Sequence, residues 1–116
     1  MNVTNKWILQ RLRKKNIGNV KLRKAIDKLL EDLEGMIVDN PNDLISKRPD
    51  ADCVYGGSHY FFNISVHRTM ILIEFEPENE ATILWAGSHD EYELTFKNNR
   101  KVIKKWLIDN RLIKKG

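Results

Sequence analysis

The stretch Ala81–Tyr92, ATILWAGSHDEY, sets a histidine and a tyrosine three residues apart, directly behind a serine. Ser88 followed three residues later by Glu91 is the pattern of a capping box, in which each side chain satisfies the other residue's backbone N–H at a helix start. A helix beginning there puts His89 and Tyr92 on one face of its first turn. Two titratable rings at a strand-to-helix corner are suited to proton transfer. Imidazole, with a free pKa of about 6.5, exchanges protons near neutral pH, whereas a phenol, near 10, serves better to orient an anion or donate a proton. The competing reading is structural: His89 satisfied by Asp90 or Glu93, and Tyr92 burying its ring in an amphipathic core.

The elements that must hold this corner follow from periodicity and caps. Trp7, Ile8 and Leu12 fall at helical spacing between Thr4 and about Lys15, and Asn16-Ile17-Gly18-Asn19 breaks the helix. From Val20 to Glu34 a stripe of Leu22, Ala25, Ile26, Leu29 and Leu33 defines a second helix, with Gly35 suited to end it. Asn40-Pro41-Asn42-Asp43 opens a short helical turn that Pro49 closes. Four strands are expected next: Cys53–Tyr55, Ser58–Ile64 after a two-residue Gly56-Gly57 turn, Met70–Phe75, and Ala81–Ala86. Within the second, His59, Phe61 and Asn63 face one way and Tyr60, Phe62 and Ile64 the other. Ser65–Thr69, with His67 and Arg68, reads as a polar loop. Asn99 caps a last helix carrying Val102, Ile103, Trp106 and Leu107. The expected class is α+β: two N-terminal helices packed on a four-stranded antiparallel meander, with a C-terminal helix.

At 116 residues, 41% hydrophobic and 31% charged, the chain fits one domain over residues 1–116, of which 97–116 form a basic C-terminal helix. No apolar run has membrane-span length and MNVTNKW lacks the order of a secretory signal, so no membrane association and a cytoplasmic location are expected. Cys53 is the sole cysteine, which excludes an intramolecular disulfide and a zinc–cysteine cluster. His59 and His67 have no metal-ligand spacing and read as satisfied surface residues, so no metal and no small-molecule cofactor are expected. Charge is segregated. Residues 1–30 carry nine Lys/Arg against Asp27 alone, residues 97–116 eight against Asp109 alone, and residues 31–96 only three against fourteen acids. Basic ends on one face suit a polyanion, although solvated helix faces would look the same. Trp7, Trp85 and Trp106 are able to stack bases, but their spacing favours core packing. A DNA-binding module fits poorly, because no convincing helix-turn-helix spacing accompanies Val20–Glu34.

The order of two helices, the Asn40-Pro41 turn, Arg48-Pro49-Asp50-Ala51-Asp52, HYFFNI and GSHDEYE resembles the HigB family of bacterial toxin–antitoxin toxins, small RelE-like messenger-RNA interferases. The resemblance is strongest over residues 40–93. It implies a RelE-like fold, a partner antitoxin carrying a helix-turn-helix, and cleavage of messenger RNA on the ribosome. The family's threonine-histidine-x-glutamate-tyrosine motif falls on Ser88 to Tyr92, a change that keeps the hydroxyl. Under that resemblance His89 shuttles protons, Tyr92 orients the phosphate and Arg68 stabilises its charge, without a metal, while Asn63, His67, Lys97 and Arg100 are candidate RNA contacts. The family's early-strand arginine falls, in an ungapped register, on Met70, with Arg68 two residues earlier. Met70 therefore favours an alternative: a weak or inactive homologue that binds antitoxin or RNA without cutting.

Overall fold

Polar caps punctuate the chain into ten elements in the computed structural model, which describes residues 1–115. They are β1 (Asn2–Thr4), α1 (Trp7–Lys15), α2 (Val20–Gly35), α3 (Pro41–Lys47), β2 (Asp52–Tyr55), β3 (His59–Ile64), β4 (His67–Glu74), β5 (Glu80–Ser88), α4 (His89–Phe96) and α5 (Arg100–Asp109). Asparagines start three of the helices. Asn19 accepts from the Leu22 N–H, Asn40 from Asp43, and Asn99 from Lys101 and Val102. Each interaction satisfies an amide that the first helical turn leaves without a partner.

The strands form one five-stranded sheet in the order β1-β5-β4-β3-β2. β2 to β5 make the expected antiparallel meander, but β1 adds a fifth strand parallel to β5, pairing Asn2 with Glu80 and Thr4 with Thr82. The sheet is therefore mixed. Three residues with one apolar member, Val3, are too short to display a period of two. What holds them is tertiary: Val3 is buried, and the N-terminal ammonium donates to the carbonyls of Leu33 and Met36 at 3.0 and 2.6 Å.

Helices cover both faces of the sheet, where the sequence suggested one. Leu9 and Leu12 of α1 and Leu22, Ile26, Leu29 and Leu33 of α2 pack with Tyr60, Phe62, Ile64, Ile71 and Ile73. On the opposite face Tyr92 and Phe96 of α4 and Ile103 and Leu107 of α5 enclose Val54, Phe61 and Met70. Each such side chain contributes about 1.5–3 kcal/mol on full burial. The alternation expected in β3 thus separates the two cores. A bulge in β5 breaks that alternation once: Met70 pairs with Trp85 and Ile71 with Ile83, leaving Leu84 as the extra residue. Leu84 and Trp85 consequently both pack on the α4/α5 side, while Ile83 and Ala86 pack on the other.

Two turns differ from expectation. Tyr55 pairs with His59, so the first hairpin loop has three residues, with Gly56 and Gly57 at φ of 58° and 72°. Ile64 pairs with His67, so the second is the two-residue turn Ser65-Val66, and His67, Arg68 and Thr69 belong to a strand rather than a loop. Their polarity hides the strand because their burial partners come from distant elements. The C-terminal helix ends at Asp109, and Gly116 lies outside the described residues. No helix among the described residues is long and apolar enough to cross a membrane.

Candidate functional site

The capping box forms as the sequence suggests. Glu91 N–H donates to Ser88 Oγ at 3.1 Å, and Ser88 N–H donates to Glu91 Oε1 at 2.9 Å. That hydrogen bond with the Ser88 backbone holds the Glu91 carboxyl below the usual range, helped by Lys15 and His67, against a smaller opposing effect of burial. His89 N–H donates to the Val66 carbonyl at 3.2 Å, which fastens the start of α4 to the β3–β4 turn. Strand end, hairpin and helix start thereby converge on an open cleft of about 460 Å³ lined by Asn63, Ser65, Val66, His67, Arg68 and His89.

His89 presents its ring to solvent, with its side chain 63% exposed and Nε2 3.6 Å from Glu93 Oε1. Its ring stacks on Tyr92 at 6.1 Å between centroids and 25° between planes. Tyr92 itself is 2% exposed, edge-on to Phe61 at 4.9 Å, and its hydroxyl donates to Asn98 Oδ1 at 2.9 Å. The hydroxyl is engaged by Asn98 at the α4–α5 junction, with Arg68 of the cleft close enough to act on it. Burial pushes its pKa up, with the Arg68 charge opposing, so Tyr92 stays a neutral phenol at physiological pH.

Arg68 lies over two rings, its guanidinium carbon 4.9 Å from the Phe61 centroid and 4.6 Å from that of Tyr92. Nη2 stands 3.5 Å from Asp52 Oδ2, and Nε is buried without a hydrogen-bond partner. A planar cation held on aromatic faces, with donors to spare, is prepared for an anion. Arg68 is the second residue of β4, and Met70 is fully buried in the α4/α5-side core. An arginine therefore does stand early in this strand, because the tight Ser65-Val66 turn starts the strand at His67.

His67 and His59 are both buried, contrary to the surface positions expected for them. Burial lowers the pKa of each, opposed by the Glu91 carboxylate at His67 and by a backbone hydrogen bond with Tyr55 at His59. His67 lines the cleft, its Nδ1 buried without a partner; His59 sits at the far end of β3 against Ser58 Oγ, 3.0 Å from its Nδ1. Asn63 is fixed from behind: its N–H donates to Asp50 Oδ2 at 2.9 Å and its carbonyl accepts from Arg48 Nη2 at 3.3 Å. Arg48 in turn bridges Asp32 and Asp50 at 3.0 and 2.6 Å. The Arg48–Asp52 stretch is thus the buttress of the cleft, with Asp50 holding Asn63 and Asp52 facing Arg68. Sequence reasoning missed Arg48 and Asn98 as supports; the basic pair Lys47-Arg48 followed closely by Asp50 and Asp52 was the one available signal.

Lys97 and Arg100 are not brought to the cleft. Lys97 ends α4 at φ 53° and Arg100 begins α5, both exposed at the opposite end of α4 from His89. Cys53 is partly buried against the first core. Among the described residues no group of three or more His, Cys, Asp or Glu is arranged to hold a metal ion.

The cleft thus joins an exposed imidazole, a ring-mounted guanidinium and a second imidazole kept neutral by burial, a set able to move a proton beside a bound phosphodiester. No curated protein matches the chain. A family model described as HigB toxin, RelE-like toxic component of a toxin–antitoxin system, matches residues 22–95, from α2 through most of α4 and across the whole cleft. The chain belongs to that family of RelE-like toxins, the toxic components of toxin–antitoxin systems.

Proposed function

We propose that this toxin is a metal-independent endoribonuclease that cuts ribosome-bound messenger RNA in the cytoplasm, with residues 1–116 acting as one domain. The observation that carries the reading is the shared cleft of His89 and Arg68, both braced on the Tyr92 ring. In the reaction the 2′-oxygen bonds to the adjacent phosphorus and the 5′-oxygen leaves, giving a 2′,3′-cyclic phosphate and a free 5′-hydroxyl. His89 takes the 2′-hydroxyl proton and delivers it to the leaving 5′-oxygen, and Arg68 stabilises the charge that builds on the phosphate. His67, neutral because it is buried, accepts a hydrogen bond from the nucleotide, and Asn63 orients it. Tyr92 acts through its ring, as the platform that positions the other two. Lys97 and Arg100 contact RNA away from the scissile bond, and the basic ends of the chain meet ribosomal RNA.

Membership of a toxin–antitoxin system implies an antitoxin partner, and we assign it a helix-turn-helix fold. The alternative is a weak or inactive homologue that binds antitoxin or RNA without cutting; Arg68 in the cleft, beside a Met70 buried in the core, supports the catalytic reading over it. Induced expression tests the proposal. Wild type arrests growth and Arg68→Ala grows normally at equal protein level; growth unaffected by the wild type contradicts it.

A further inference from the structure

A second cleft, of about 520 Å³, lies behind the same corner, between α1 and the outer edge of β5. Its origin is topological. β1 pairs only as far as Thr4 with Thr82, whereas β5 runs on to Ser88, so the last two thirds of that strand have no neighbouring strand on this side. Asn5 Nδ2 closes the ladder on the Ile83 carbonyl at 3.2 Å, and α1 then passes alongside without filling the gap.

Besides Ile8 and the core residue Leu12, α1 turns three residues that lie outside the core towards the gap. Trp7, Arg11 and Lys15 recur every four positions and line the cleft together, opposite Trp85. Trp7 is 59% exposed, although its spacing with Ile8 and Leu12 suggested burial. Leu9 and Leu12 supply the buried stripe of α1 instead. Neither Arg11 nor Lys15 forms an ion pair among the described residues, whereas Arg13 on another face is committed to Asp27 at 2.8 and 3.1 Å. Four residues of helix rise about 6 Å, so the stripe is an aromatic ring, a guanidinium and an ammonium spaced along one line. An extended single strand offers a matching succession of flat bases and phosphates.

The line leads to the catalytic corner. Glu91 lines the cleft at the end nearest Lys15, and its carboxylate lies within the electrostatic reach of both Lys15 and His67. Glu91 also closes the capping box two residues from His89. The two clefts therefore flank one helix start. All three α1 residues lie outside residues 22–95, the part that the family model matches.

We propose that the α1/β5 cleft is a nucleotide subsite for the RNA strand flanking the scissile phosphate: Trp7 stacks on a base, and Arg11 and Lys15 hold phosphates on the path to His89. This rests on the ribonuclease reading above and extends it to substrate binding. Stacking on an exposed ring tolerates any base, so the subsite contributes affinity and register rather than sequence choice.

The test uses the full chain and a fluorescein-labelled hexaribonucleotide with 2′-O-methyl groups, which binds but cannot undergo the cleavage. Anisotropy gives the affinity and tryptophan quenching reports contact. Expected are a loss of affinity of about 5- to 150-fold, the range for one stacked base, in Trp7→Ala, near-wild-type affinity in Trp7→Phe, and a shallower salt dependence in Arg11→Ala/Lys15→Ala. The exposure of Trp7 predicts unchanged melting of Trp7→Ala, which separates lost stacking from lost fold. Equal affinity of wild type and Trp7→Ala, no binding of the probe by wild type, or displacement of the probe by an equal concentration of hexaglutamate each overturns the proposal. The last outcome would assign the cleft to an acidic peptide instead. Failure of the ribonuclease reading shows separately, as a 2′-hydroxyl oligonucleotide that remains uncut on the ribosome while the Trp7 effect on binding persists.

Discussion

The Arg68 guanidinium carbon lies 4.6 Å from the centre of the Tyr92 ring, and the His89 ring stacks on that same tyrosine. One buried phenol therefore fixes the cation of the cleft and its exposed imidazole relative to each other, across two elements distant in sequence. Its hydroxyl, donated to Asn98, steadies the ring from the α4–α5 junction.

That arrangement separates the ring from the hydroxyl. Tyr92→Phe keeps the platform and loses one hydrogen bond, so it lowers stability by about 0.5–1.5 kcal/mol and leaves cleavage within a few-fold of wild type. Tyr92→Leu removes the aromatic face under Arg68 and lowers cleavage at least tenfold. Thermal melts together with single-turnover cleavage check both. Abolished cleavage in a folded Tyr92→Phe would show that the hydroxyl takes part in the chemistry.

Gly87 has no room for a side chain. A Cβ there would stand 2.7 and 2.8 Å from Trp85 ring carbons and 3.3 Å from the Glu91 Cβ. Edge-on packing against Phe96 at 5.0 Å and Phe61 at 6.3 Å resists movement of the indole. Gly87→Ala should destabilise by about 1–3 kcal/mol. Combined with Trp85→Leu the two effects should be less than additive in urea melts; strict additivity would place the strain elsewhere.

Acidification should destabilise the fold through its buried histidines. Burial holds the pKa of His59 and His67 below the unfolded value of about 6.5. The unfolded chain therefore binds more protons just below that pH, and stability is complete above about 6.5 and falls as pH drops beneath it. Melting temperatures measured from pH 7.5 down to 5.5 should decline for wild type and decline less for His59→Gln/His67→Gln. Parallel profiles for the two proteins would refute the assignment.

What the sequence made legible was local chemistry. Ser88 and Glu91 announce their capping box because both partners lie within four residues, and the α2 stripe and the Asn99 cap are equally self-contained. What it concealed depends on distant partners. Arg68 and His67 read as loop because polar residues in a strand look like loop until the Phe61 and Tyr92 rings and the Ser65-Val66 turn are in place. β1 was too short to show a pattern, and without it neither the mixed sheet nor the gap beside β5 can be inferred. Trp7 fits a helical stripe with Ile8 and Leu12, yet α1 is rotated so that Leu9 takes the buried place. Helical spacing defines a face but not which way it turns. The family resemblance makes Tyr92 a group that meets the phosphate, and only tertiary structure shows its hydroxyl donating to Asn98.

The central claim is that His89 moves the proton in messenger RNA cleavage, and mapping of 5′ ends on ribosome-bound message tests it most directly. With its side chain 63% exposed, His89 can be replaced without a core penalty, so His89→Ala should melt like wild type. The account predicts new 5′-hydroxyl ends within coding sequence for wild type and a loss of about 10²–10⁴-fold in His89→Ala, the usual contribution of a positioned acid–base group. Intact message with wild type, or equal cleavage by His89→Ala, would contradict it.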